Sequence, residues 1–224
     1  RILDNFDHCF VMSEIDKNIL LHDNPKAKLS TIPNGTDVFG TEMFSDEGFK
    51  PSLLYVGNMG YRPNVDAVVF FCEEVMPGLQ NRISEIDFWI VGKSPRDEVL
   101  GLKSKNIFVT GEVDDVKPYY ENSKICVVPL RAGGGTRLKI LEAMAYGRPV
   151  VSTSVGCEGL DVIDGENILI ANTAQEFQEK IITLCNNQHL RMKLVNNARK
   201  LVSEKYEWNS LASAQLQVYS DLMK

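Results

Sequence analysis

Residues 127–153 read V-V-P-L-R-A-G-G-G-T-R-L-K-I-L-E-A-M-A-Y-G-R-P-V-V-S-T: a strand, a glycine-rich loop, a helix and another strand in immediate succession. The continuous apolar run 125–128 suits a parallel strand buried on both faces, and 150–153 begins a second. The spacing predicts a helix from near Thr136 to Gly147, where glycine can take the left-handed conformation that closes a helix; Pro149 cannot continue one. Parallel strands need a crossover, so this is a βαβ unit. Gly133, Gly134 and Gly135 bare the backbone where free N–H groups and the positive end of the helix dipole coincide, which favours an anion such as phosphate. The alternative is a tight turn with no ligand, although three glycines cost backbone entropy that a plain turn does not require.

Glu142 is the one carboxylate inside the apolar stretch 140–145, and a carboxylate carried into a core needs a partner. It lies six residues past the first turn, about 9 Å along the axis, with its side chain leaning back toward the N-terminus. That spacing fits a diphosphate on the loop and ribose hydroxyls at the carboxylate. An ion pair with Lys139, three residues earlier on the same face, fits equally well.

Other motifs fall away. Gly92-Lys93-Ser94 would need glycine at position 87 to complete a phosphate-binding P-loop, and Asp87 stands there. No G-x-G-x-x-G follows a strand, which argues against a nicotinamide site. Asp114-Asp115 reads as a helix cap facing the dipole before it reads as a metal site. The formal charge of −6 provides no basic stripe for a nucleic-acid backbone. Cys9, Cys72, Cys126, Cys157 and Cys185 are widely spaced and mostly set in apolar runs, so they read as reduced core thiols of a cytoplasmic protein. No zinc spacing occurs, and no apolar run reaches the ~18 residues of a membrane span.

Strand-like runs at 53–56, 86–91, 107–110, 125–128, 150–153 and 168–170 alternate with helical segments. This predicts an α/β fold, a Rossmann-like doubly wound parallel sheet, followed by C-terminal helices. Ligands of such sheets bind beyond the carboxyl ends of the strands, here at Gly57, Gly92, Gly111 and the triple glycine. Ahead of the sheet, 8–12 and 29–32 read as short strands around a helix capped by Ser13.

The run G-G-G-T-R-L-K-I-L-E-A-M-A-Y-G-R-P-V-V-S-T resembles the signature of the nucleotide-sugar-binding half of GT-B glycosyltransferases, the retaining family-four (group 1) type. The resemblance implies four segments: residues 1–33 as the tail of a truncated N-terminal domain, 34–50 as interdomain linker, 51–205 as the Rossmann-like donor domain and 206–224 as a crossover helix. It implies that Gly134, Gly135, Thr136 and Arg137 surround the donor diphosphate, that Glu142 takes the ribose hydroxyls, and that Val113 falls in the base-reading loop. The family's diphosphate clamp after the first glycine, Gly57, is an arginine and a nearby lysine. Asn58 and Arg62 hold those places here, so Arg137 and Lys139 are left to supply positive charge. A second family glutamate, eight residues before the first, is replaced by Gly134.

The expected function is transfer of a sugar from a nucleoside-diphosphate sugar to a glycan or lipid-linked glycan in bacterial surface-polysaccharide synthesis. No cofactor, metal or nucleic acid is expected, and catalytic residues are expected in the preceding domain. A wholly cytoplasmic protein, or one attached to the inner face of a membrane through that domain, both fit. A nucleotide-sugar epimerase of the same fold and a non-catalytic nucleotide-binding module remain as alternatives.

Overall fold

The structure is a computed structural model and describes residues 2–38, 51–135 and 137–224. Most of the expected linker, residues 39–50, therefore lies outside the described residues, as does Thr136.

The chain opens with β1 (Cys9–Val11), α1 (Glu14–Asp23) and β2 (Leu29–Thr31). β1 and β2 pair in parallel, with Cys9 opposite Leu29. Ser13 caps α1, its hydroxyl accepting from the backbone N–H of Asp16 at 3.1 Å, but α1 buries none of its residues.

The main body alternates strand and helix. It comprises β3 (Ser52–Val56), α2 (Arg62–Phe70), a π-helical turn (Phe71–Val75), α3 (Met76–Gln80), β4 (Asp87–Val91), α4 (Asp97–Leu100), β5 (Ile107–Val109) and α5 (Lys117–Asn122). β6 (Ile125–Val128), α6 (Leu138–Ala145), β7 (Val150–Ser152) and β8 (Leu169–Ile170) follow, then α7 (Ala174–Asn186), α8 (Gln188–Lys205) and α9 (Trp208–Leu222). The six strands lie in the order β5-β4-β3-β6-β7-β8, all parallel, with Leu53 opposite Ile125 and Tyr55 opposite Ile90. The expected doubly wound sheet is thus present.

All four residues of β6 and all three of β7 are buried, as continuous apolar runs in a covered parallel sheet should be. Helices complete the cover. α7 packs against the π turn and α3, while α6 packs against α8. Phe71 anchors one side, 4.7 Å from the Phe88 ring and edge-on to Phe177 at 5.8 Å. The helical segment after β3 runs through Pro77 to Gln80. A proline inside an α-helix clashes with the preceding turn, and the wider π turn just before α3 relieves that conflict.

At the other end, Gly147 takes a φ of +66° and closes α6 as expected. Thr173 and Glu176 form a reciprocal capping box at the start of α7. The five cysteines are unpaired, and burial pushes the Cys72 and Cys126 thiols up to about 12. Among the described residues no helix is long and apolar enough to cross a membrane. On α9, Leu216, Tyr219 and Leu222 remain exposed.

Candidate functional site

From β3 in mid-sheet the chain winds outward through β4 and β5, then returns to the other side of β3 with β6. Loops leaving the carboxyl ends of β3 and β6 therefore diverge and open a crevice, where parallel sheets of this kind hold their ligands. The first of these loops carries Gly57 and Asn58, the second the triple glycine.

Gly133 and Gly135 have φ of +116° and +93°, conformations that disfavour any side chain, whereas Gly134 does not. A Cβ at Gly133 would come within 3.1 Å of Pro63 Cβ, so the loop lies against the first turn of α2. Arg137, the residue before α6, is buried. Its guanidinium donates to the carbonyls of Gly133 (3.0 Å), Gly134 (3.3 Å) and Val155 (2.8 Å). It thus ties the glycine loop to the loop after β7. Its charge was expected to face a diphosphate; these bonds are spent on carbonyls instead.

Lys139, in the first turn of α6, is the more available cation. Its Nζ donates to the Tyr55 hydroxyl at 2.8 Å and to Asn64 Oδ1 at 2.9 Å, and lies 4.2 Å from the Tyr55 ring centroid. Tyr55 in turn donates to Asn64 Oδ1 at 2.6 Å. Two acceptors leave one N–H of a charged lysine unused. A Cβ at Gly57 would stand 3.1 Å from Nζ, so the bare glycine lets the lysine reach the end of β3. Loss of water around the ammonium, and secondarily the Arg137 charge, lower its pKa to about 7.

Glu142 is half-buried and accepts a hydrogen bond from the Tyr120 hydroxyl at 2.9 Å. Tyr120 is stacked on Tyr146, with ring centroids 5.0 Å apart. Burial raises the Glu142 pKa, while the Tyr120 hydrogen bond and the charge of Lys139 oppose that rise. The alternative ion pair does not form, because Lys139 turns to Tyr55 and Asn64. Glu142 instead lines a cleft of about 550 Å³ with Val116, Lys117 and Leu138. Val116 also borders a smaller cleft of about 290 Å³, which contains Gly57, Asn58, Gly92 and Val113. A carboxylate, a lysine and a glycine loop at one switch point form a set suited to a ribosyl diphosphate.

Residues 50–187, more than half of the chain, match the family described as glycosyl transferases group 1. The chain belongs to that family. An uncharacterized glycosyltransferase of Methanocaldococcus jannaschii is 30% identical over 97% of this chain and 60% of its own length. The capsular polysaccharide biosynthesis glycosyltransferase CapM of Staphylococcus aureus is 29% identical over 60% of this chain and 34% of its own length. The chain thus spans no more than 60% of either relative. Among solved structures, a variant of S. aureus TarM in complex with fondaparinux, alpha-GlcNAc-glycerol and UDP superposes with a TM-score of 0.79. It is 22% identical, with 97% of this chain and 44% of that one covered, a likeness of fold.

Two positions of the group 1 signature are turned away from the loop. Asn58 is exposed and its side chain closes its own turn, Oδ1 accepting from the Gly60 N–H at 2.9 Å. Arg62 points to Glu98, 3.8 Å away at the surface. Asp115 Oδ1 accepts from the Lys117 N–H at 2.8 Å, a capping role at the start of α5. Sequence reasoning missed Tyr55, Asn64 and Tyr120 as members of the site. The signal available for Tyr55 was a hydroxyl inside an apolar strand, which needs a partner when buried.

Proposed function

We propose that this chain is the donor-binding part of a glycosyltransferase that moves a sugar from a nucleoside-diphosphate sugar to a glycan acceptor. The observation that carries the reading is that Glu142 and Lys139 on α6, and the 133–135 loop just ahead of it, all follow β6 at the switch point beside β3, with Lys139 reaching across to Tyr55 of β3. Glu142 takes the ribose hydroxyls, having one oxygen already oriented by Tyr120. Amides of Gly134, Gly135 and Thr136 at the N-terminus of α6 take the diphosphate. Lys139 adds the positive charge that Asn58 and Arg62 do not direct there. The base enters the cleft formed by Gly57, Asn58, Gly92 and Val113.

Preorganised amides and an ammonium offset charge that grows on the departing diphosphate, so the chemistry does not call for a metal. Retention of anomeric configuration, the family-four assignment and the role of donor domain rest on the sequence signature. A relative named for capsular polysaccharide biosynthesis, and a structural neighbour in complex with UDP, support a surface-glycan acceptor and a nucleotide donor. Acceptor contacts belong to a preceding domain, which also provides any membrane attachment, and the isolated chain is expected to bind nucleotide while transferring little sugar.

The test is titration calorimetry of this chain with UDP, GDP and ADP. Binding of one of them, and loss of at least tenfold in Glu142→Ala, is the expected result. Folded protein that binds none would overturn the reading.

A further inference from the structure

A cavity of about 430 Å³ opens against the same glycine loop and shares no lining residue with the Glu142 cleft. Gly134, Gly135 and Arg137 form one wall. Glu158, from the loop after β7, and Ser13 and Asp16, from the start of α1, face it. Its volume falls within the range of small-molecule sites.

The charges on these walls narrow what it can hold. Arg137 is the cation among them, and its guanidinium is already committed to the carbonyls of Gly133, Gly134 and Val155. Two carboxylates remain, so a second anion would be repelled. Carboxylates are acceptors only, and their natural neutral partners are hydroxyl groups. Asp16 already accepts from the Ser13 hydroxyl at 2.7 Å within the cap of α1. Glu158 has only an ion pair with Arg137 at 3.7 Å, too long for a hydrogen bond, and so keeps its acceptor capacity.

Glu158 is also held in place. Thr153, at the end of β7, donates from its N–H to Val128 at 3.1 Å and from its hydroxyl to the Leu130 carbonyl, just before the glycine loop. The same hydroxyl accepts from the Gly156 N–H at 2.8 Å. A Cβ at Gly156 would lie 2.4 Å from Ser152 Oγ and 2.7 Å from the Val128 carbonyl, so only glycine passes there. The 154–160 loop is thereby locked in register with the loop that meets the diphosphate.

We infer that Glu158 is the specificity-determining carboxylate for the sugar of the donor, accepting hydrogen bonds from its hydroxyls in this cavity. The inference rests on the donor-binding reading above. With the nucleoside on the Glu142 side and the diphosphate at Gly134 and Gly135, the group beyond the diphosphate enters the cavity that those two glycines line.

The experiment compares UDP with UDP-glucose and UDP-N-acetylglucosamine, and GDP with GDP-mannose, by calorimetry on the wild-type chain and on Glu158→Ala. Glu158 is exposed, so the variant should unfold at the wild-type midpoint. The expected result is a loss of about tenfold or more for the sugar nucleotide, the worth of a charged hydrogen bond, with the parent nucleotide unchanged within twofold. Equal losses for both ligands would make Glu158 a brace of the glycine loop acting through Arg137 and overturn the inference. So would unchanged affinity for every sugar nucleotide. Wild-type protein that binds neither parent nucleotide would instead remove the donor-binding reading itself, and the inference with it.

Discussion

Glu142 sits half-buried on α6, with the Tyr120 hydroxyl at 2.9 Å, whereas Glu158 stands exposed on a loop with a single 3.7 Å contact to Arg137. The two carboxylates flank one glycine loop but are supported differently. Behind Glu142 stand Tyr120 and Tyr146, stacked 5.0 Å apart, and the buried face of α6. Behind Glu158 there is only the frame of its loop, fixed by Thr153 and Gly156. A residue embedded in the core is difficult to change without disturbing packing, while a loop tip on a rigid frame can change freely. This division suits a ligand with a constant nucleoside end and a sugar that differs between enzymes.

Arg137 joins the two sides, and its removal is the strongest way to break the comparison. Arg137→Ala leaves three carbonyls without their charged donor and opens a void at the start of α6. Loss of one partner from a buried charged network costs about 3 kcal/mol. The midpoint of urea unfolding should fall accordingly, and nucleotide binding should be lost along with any dependence on Glu158. An unchanged midpoint would show that the two loops do not need the staple.

Glu142→Ala comes next and should separate the two sides cleanly. The parent nucleotide should bind at least tenfold more weakly, while Glu158→Ala leaves it unmoved. Stability should drop by about 1 kcal/mol, since the Tyr120 hydroxyl loses its acceptor. Calorimetry and urea unfolding on the same samples read both effects.

How much of this was legible in the chain follows from what each side is made of. The strands were readable because parallel strands covered on both faces must be apolar throughout, as 125–128 and 150–153 are. Glu142 was readable because a carboxylate among Ile140, Leu141, Ala143 and Met144 contradicts its surroundings. Tyr55 and Tyr120 were not, because a tyrosine in an apolar stretch reads as core and its hydroxyl partner comes from elsewhere in the chain, 84 residues away for Lys139. Arg137 was read for its charge alone. Its partner in the loop after β7, Val155, lies 18 residues on, and a backbone carbonyl leaves no mark on sequence.

Lys139 offers a subtler test, through pH. The folded chain releases this proton near pH 7, against an ordinary lysine value of 10.5 retained on unfolding. Between those values the unfolded chain binds the additional proton, so this group makes stability rise with pH across that window and contributes no slope below it. Binding runs the other way. A diphosphate favours the charged lysine, so affinity for a sugar nucleotide should fall severalfold from pH 6 to pH 8, with proton uptake measurable by calorimetry in buffers of different ionisation enthalpy. Lys139→Met should abolish the uptake. Its persistence in that variant would assign the proton to another group.

The smallest expected effect lies within the loop. Gly135, at φ +93°, should resist substitution, and Gly135→Ala is expected to cost about 1–2 kcal/mol. Gly134 has no positive φ, and nothing lies within 4 Å of a Cβ placed on it, so Gly134→Ala should stay within about 0.5 kcal/mol of wild type. Thermal unfolding of the pair separates two explanations for that glycine. A neutral Gly134→Ala that still weakens sugar-nucleotide binding would mean the space is reserved for ligand, in the cavity that Glu158 faces. A destabilised Gly134→Ala would place the constraint in the backbone, and the open space beside Gly134 would then say nothing about the sugar.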